Sequence, residues 1–278
     1  MDRRNLPRSR FTTKRRNLKP YFLLALLAVG GAFGVASAVH RRQGVVTTSS
    51  PVAAALAQRV SAVIPSCASQ LSSTHKVGIQ IGHLNTDQLP DELANLHWDF
   101  GTSADGVNEV DVNQDVAGRV ATLLKNQGIN VDLLPATVPE DYCANAFVAI
   151  HVDGNDDTSV YGYKVASSSW DTDGKAESLS DNIIQDYGQL TQMEQNPTIT
   201  KDMTEYYAFN YQKFTHTIDP ATPGAIIELG FVSNDIDRNQ LVNNPQILAQ
   251  GVARGIIDYL NGKVAPTPAP AEIIDNAD

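Results

Sequence analysis

Four side chains in this sequence have the types and settings that chemistry needs: His83, Glu109, His151 and Glu228. Each histidine closes an apolar run, Lys76-Val77-Gly78-Ile79-Gln80-Ile81-Gly82-His83 in one case and Ala146-Phe147-Val148-Ala149-Ile150-His151 in the other. Glu228 closes a third, Pro223-Gly224-Ala225-Ile226-Ile227. An ionised carboxylate buried without a partner costs several kcal/mol, so Glu228 is either paired by a cation or set at the mouth of a site where a raised pKa is useful. The plain alternative is a Glu just past the strand end, solvated or bonded to backbone. Glu109 opens a helical stretch and points within about 20–60° of Val112, Val116 and Val120 at 100° per residue, so a carboxylate occupies the apolar stripe. It also sits in the first turn, where an acid favours the helix dipole. Two His and one Glu make an open zinc site, with three protein ligands and a fourth position for water. The short HExxH form is absent, so such a site must be assembled from distant segments.

The elements that would assemble it are parallel strands. The three apolar runs read as buried strands ending in a ligand-type residue, and in open α/β sheets sites form beyond the carboxyl ends of such strands. After the first strand comes a long polar loop, Leu84 to Val107, then a helix from Asn108 or Glu109 with Val112, Val116, Val120, Leu123 and Leu124 on one face, ended at Gly128. Ile129 to Leu134 returns as a strand, and further helices fit Glu177 to Tyr187 and Pro245 to Leu260. This rhythm predicts an α/β fold, a mostly parallel twisted sheet flanked by helices, over residues 74–262.

Together, strand-Gly82-His83, the helix-opening Glu109, strand-Ile150-His151 followed by Val152-Asp153-Gly154-Asn155, and Ile227-Glu228-Leu229-Gly230-Phe231-Val232-Ser233-Asn234 resemble the bacterial zinc-dependent N-acetylmuramoyl-L-alanine amidases of type 3. The likeness covers about residues 76–262, and Glu-Leu-Gly-Phe-Val-Ser-Asn is its most specific part. The resemblance implies zinc held by His83, Glu109 and His151, Glu228 as the catalytic acid/base, and peptidoglycan as substrate. The family's usual Asp-Pro-Gly-His-Gly-Gly turn is here Gln80-Ile81-Gly82-His83-Leu84-Asn85, and Ser-Leu-His-Ala-Asn is Ala149-Ile150-His151-Val152-Asp153; all four site side chains are kept.

Residues 1–19 carry eight Lys or Arg against one acid, and residues 20–39 carry no charge. That pattern marks export. The uncharged run is about the 20 residues that cross a bilayer, and its basic flank stays in the cytoplasm. An uncleaved transmembrane anchor is therefore expected, with the domain outside the cytoplasm. Ala36-Ser37-Ala38 matches a small-residue cleavage site, so a secretory signal is the competing reading. Residues 40–73 read as a stalk with a short amphipathic stretch near Val52 to Ile64, and residues 263–278 as a disordered Pro/Ala-rich tail.

The formal charge is −10, yet residues 1–45 hold ten of the 21 Lys and Arg, leaving 11 basic against 30 acidic residues afterwards, a formal −19. Such a body does not suit a phosphate backbone, which argues against nucleic acid as a partner. The two cysteines, Cys67 and Cys143, are either joined outside the cytoplasm or separate buried thiols. Of the other histidines, His40 and His75 flank the stalk and His97 lies beside Trp98, settings that suit surface or structural roles. His216 belongs to an aromatic, polar stretch, with Tyr206-Tyr207-Ala208-Phe209-Asn210 and Phe214, that lines a cleft or packs in the core. Two other functions fit the site residues. A zinc exopeptidase would need a cation for the substrate carboxylate, for which Arg119, Lys164, Lys175 and Arg238 are the candidates. A non-catalytic wall-binding domain would gain little from Glu228.

Overall fold

The structure, a computed structural model, is described for residues 66–71 and 73–275. The expected anchor or signal at 20–39, the basic segment before it and the amphipathic stretch near Val52 to Ile64 lie outside the described residues. Among those described, no helix is long and apolar enough to cross a membrane.

A five-stranded sheet organises the domain. Its strands are β1 (Lys76–Ile81), β4 (Asn130–Leu134), β5 (Ala146–Asp153), β6 (Lys164–Ser167) and β8 (Gly224–Phe231), in the order β4-β1-β5-β8-β6. The first four are parallel, and β6 runs antiparallel along the β8 edge. Alternation along each strand sorts side chains between two layers. Val77, Ile79, Ile81, Val148, Ile150, Ala225 and Ile227 pack under α2 (Glu109–Asn126), α3 (Lys175–Thr191) and α6 (Pro245–Leu260). Phe147, Ala149, Ala166 and Ile226 face the other way, against Tyr142, Ile199, Met203, Phe209 and Ile218. The second layer is built from irregular chain, so one face of the sheet is helical and the other is loops.

The segment Leu84 to Val107, expected as a polar loop, is packed. It forms short turns of 3-10 helix at Thr86–Gln88 and Asp91–Leu96, and a two-stranded ribbon of β2 (Ser103–Ala104) and β3 (Val107–Asn108). Leu89 and Leu93 bury against Ala136 as a small core of their own, which anchors the segment.

Both expected domain limits are corrected. The stalk prediction ran to residue 73, but Cys67–Gln70 form a helical turn, α1, and Cys67 is bonded to Cys143 with Cα atoms 5.4 Å apart. The tail was expected to be disordered, whereas Glu272–Ile274 form β9, parallel to β7 (Thr198–Thr200), and the Glu272 amide donates to the Pro197 carbonyl over 2.8 Å. Ile273 and Ile274 are β-branched and meet an otherwise open strand edge; the Pro/Ala-rich composition before them masked that pairing. A short helix α4 (Lys201–Thr204) follows β7, and α5 (Asp235–Asn243) follows β8. The Asn234 side chain caps α5, accepting from the amides of Ile236 and Asp237.

Candidate active site

His83, Glu109 and His151 meet at the carboxyl end of the sheet. One ligand atom from each lies within 4.8 Å of the others. His83 follows β1 with φ 62, a left-handed backbone. Glu109 is the first residue of α2, and its backbone amide donates to the Thr102 carbonyl over 3.0 Å. His151 lies within β5 beside Gly82, where a Cβ would sit 2.5 Å from its ring. Only glycine lets the ring lie there.

Glu109 is the hub. Its Oε1 is 3.3 Å from His83 Nε2 and 3.1 Å from His151 Nδ1, and it also accepts from the Val152 amide and the Asn113 side chain. Its Oε2 accepts from the Thr102 amide over 2.9 Å. Glu109 is 3% exposed, yet its pKa is lowered: burial alone would raise it, and the bonds to His151 and His83 outweigh burial. His83 shows the complement. Burial would lower its pKa, but hydrogen bonds to Asp99 and Glu109 hold it up at about 10. This pocket therefore stabilises positive charge.

Those distances fit a metal ion. Tetrahedral coordination at about 2.0–2.1 Å separates neighbouring donor atoms by about 3.3 Å. The far side of each ring is also tied down: His83 Nδ1 donates to the Asp99 carbonyl over 3.0 Å, and His151 Nε2 pairs with the Tyr206 hydroxyl at 3.1 Å. Such partners fix which nitrogen faces the ion.

Glu228 is the register partner of His151 on the adjacent parallel strand and of Lys164 on the antiparallel one. Its Oε2 is buried with no hydrogen-bond partner among the described residues. Burial first, then the charges of Asp153 and Glu109, push its pKa well above the usual carboxylate range; Lys164 and His83 partly offset them. Lys164 is itself buried and ion-paired with Asp153.

The other sequence candidates fall elsewhere. His216 Nδ1 is 2.7 Å from Glu92 Oε1, where it ties two surface segments together, and His97 Nε2 donates to the Leu89 carbonyl. His75 contributes its backbone carbonyl, which accepts from Asn130, and His40 is outside the described residues. Arg119 pairs with Asp115, Lys175 with Asp173, and Arg238 with Asp105 and Asp235. Sequence reasoning placed Tyr206 only in a stretch that lines a cleft or packs in the core, and gave Asp99 no role. Tyr206 is 55 residues from His151 along the chain, and nothing local announces the contact.

A model of the family described as N-acetylmuramoyl-L-alanine amidase matches residues 77–258. The chain belongs to that family. It is thus an amide hydrolase of cell-wall peptidoglycan, and all four candidate residues lie inside the matched stretch. Solved structures of the same description share the fold. An amidase from Clostridium difficile 630 is 19% identical with a TM-score of 0.50, covering 69% of this chain and 100% of its own. The amidase AmiC2 of Nostoc punctiforme is 21% identical with a TM-score of 0.52, covering 69% of this chain and 99% of its own. The CwlD amidase of Clostridioides difficile, solved in complex with the GerS lipoprotein, is 16% identical with a TM-score of 0.50, covering 68% of this chain and 100% of its own. No curated protein matches the chain in sequence.

Proposed function

We propose that this amidase cuts the bond between N-acetylmuramic acid and L-alanine with zinc held by His83, Glu109 and His151 and with Glu228 moving the proton. The single observation that carries the proposal is the cluster of His83 Nε2, Glu109 Oε1 and His151 Nδ1 beside a Glu228 oxygen that has no hydrogen-bond partner among the described residues.

His83, Glu109 and His151 would hold a zinc ion, which would supply Lewis acidity to the amide carbonyl and lower the pKa of water. The protein contributes proton handling. Glu228 takes a proton from the attacking water as the C–O bond forms, then gives it to the alanine nitrogen as the C–N bond breaks. Its raised pKa suits both halves of that exchange, and no covalent enzyme intermediate is needed. The exopeptidase reading is weakened, because Arg119, Lys164, Lys175 and Arg238 all pair with acids of the chain itself.

The proposal also sets the domain outside the cytoplasm, tethered to the cytoplasmic membrane by residues 20–39. It is supported by the Cys67–Cys143 disulfide, a bond that oxidising compartments sustain, and by the basic flank at residues 1–19. Membrane fractionation tests the tether; a soluble form beginning near Val39 would contradict it. The activity is tested by mass spectrometry of digested peptidoglycan together with metal analysis. Free L-alanine amino termini on intact glycan strands, from protein holding one zinc, are expected; trimmed stem peptides would overturn the reading.

A further inference from the structure

Beside the metal centre the chain exposes two large aromatic rings that the mechanism does not use. Trp98 is 67% exposed and Phe100 is 58% exposed, and their ring centroids are 6.3 Å apart. They flank Asp99, whose carbonyl receives His83 Nδ1 and whose Oδ1 accepts from the Gly101 amide over 3.0 Å. Gly101, with φ +75, lies so close to the centre that a Cβ there would be 2.4 Å from Glu109 Oε2 and 2.9 Å from the His83 ring. The backbone that carries the two exposed rings is therefore pinned to two of the candidate ligands. Trp98 is also held at φ 66, a left-handed conformation that a bulky side chain seldom adopts.

We propose that Trp98 and Phe100 form a platform for the sugar rings of the glycan strand, holding the carbohydrate side of the substrate while the amide lies over the metal centre. The proposal rests on the amidase reading. Exposed aromatic surface beside a cleft marks a binding rim, and the electron-rich ring faces suit the C–H faces of pyranose rings. Charge chooses between the two halves of the substrate. Lys164 and Arg238 are paired with acids of the chain, Asp153 in one case and Asp105 and Asp235 in the other, so neither is free to hold a peptide carboxylate. An uncharged saccharide needs no such cation and gains from the aromatic faces.

The experiment titrates the full chain with soluble glycan strands stripped of peptide, and separately with free stem peptide. Wild type is compared with Trp98→Asn, which tolerates the left-handed backbone, with Phe100→Ala, and with the conservative Trp98→Phe. The expected result is a loss of affinity for glycan of about tenfold or more in the first two, partial retention in Trp98→Phe, and unchanged zinc content in all. Equal glycan binding by wild type and Trp98→Asn, no glycan binding by wild type, or a loss confined to the stem peptide would each overturn the platform. Strand binding through Trp98 without release of L-alanine amino termini would leave the platform standing and remove the amidase reading instead.

Discussion

Lys164 lies opposite Glu228 in the antiparallel register of β6 and β8, and its buried ammonium pairs with Asp153 on the far side. One cation is thereby placed among carboxylates at the centre of the cleft. It opposes the burial that drives the Glu228 pKa upward.

Replacing Lys164 by Met removes that opposition. The Glu228 pKa then rises further, so the carboxylate needed as base is populated only at higher pH. The acid limb of the kcat/KM profile is expected to move upward by about 1 pH unit or more. An unshifted limb with an intact fold would separate Lys164 from Glu228.

Tyr206→Phe deletes the hydroxyl that sits 3.1 Å from His151 Nε2 while keeping the ring, which packs edge-on at 5.5 Å. Partners of this kind are worth about 10–100-fold in metal affinity. Chelator competition is expected to show zinc held at least about tenfold more weakly. Unchanged affinity would reduce Tyr206 to packing.

The disulfide spans 76 positions in sequence and ties α1 to the segment before β5. In the chain-entropy model a loop of that size contributes about 4 kcal/mol. Cys67→Ser with Cys143→Ser is expected to lower the melting temperature by roughly 8–16 °C, with zinc retained. A loss under a few degrees would mean the unfolded chain is compact without the bond.

His216 and Glu92 give a pH test away from the active site. Burial would raise the Glu92 pKa, but the amides of His216 and Thr215 and their side chains bring it down to about 2, from an ordinary 4.5. A depressed carboxyl stabilises the fold above its unfolded pKa, and that contribution disappears as pH falls through the folded one. Thermal stability is expected to fall between about pH 4.5 and 2, less steeply in Glu92→Gln. His216→Ala is expected to keep full zinc content; zinc loss would return His216 to the site.

Strands were the legible part of this chain; where two of them end was not. The apolar runs at Lys76, Ala146 and Gly224 form β1, β5 and β8, but β5 continues past His151 to Asp153 and β8 past Glu228 to Phe231, so those two residues lie inside their strands rather than closing them; α6 occupies Pro245–Leu260 as its periodicity indicates. Glu109 stood out because a carboxylate broke an apolar stripe. Contacts closed by long-range folding left no such mark. Tyr206 reaches His151 from the loop layer, Asp99 reaches His83 by way of a packed segment that reads as polar, and β6 is only four residues of mixed type. The β9 strand was hidden by the prolines before it, and α5 by having only Asp237 and Leu241 buried.

The most direct test of the account is Glu228→Gln, assayed for turnover on peptidoglycan and for zinc in the same preparation. Glutamine keeps the shape and removes the proton acceptor, and general acid/base assistance is worth about 10²–10⁴-fold. Turnover is expected to fall by at least about 100-fold with stoichiometric zinc and an unchanged melting temperature. Undiminished turnover, or loss of the zinc, would contradict a proton-moving Glu228 beside a centre held by His83, Glu109 and His151.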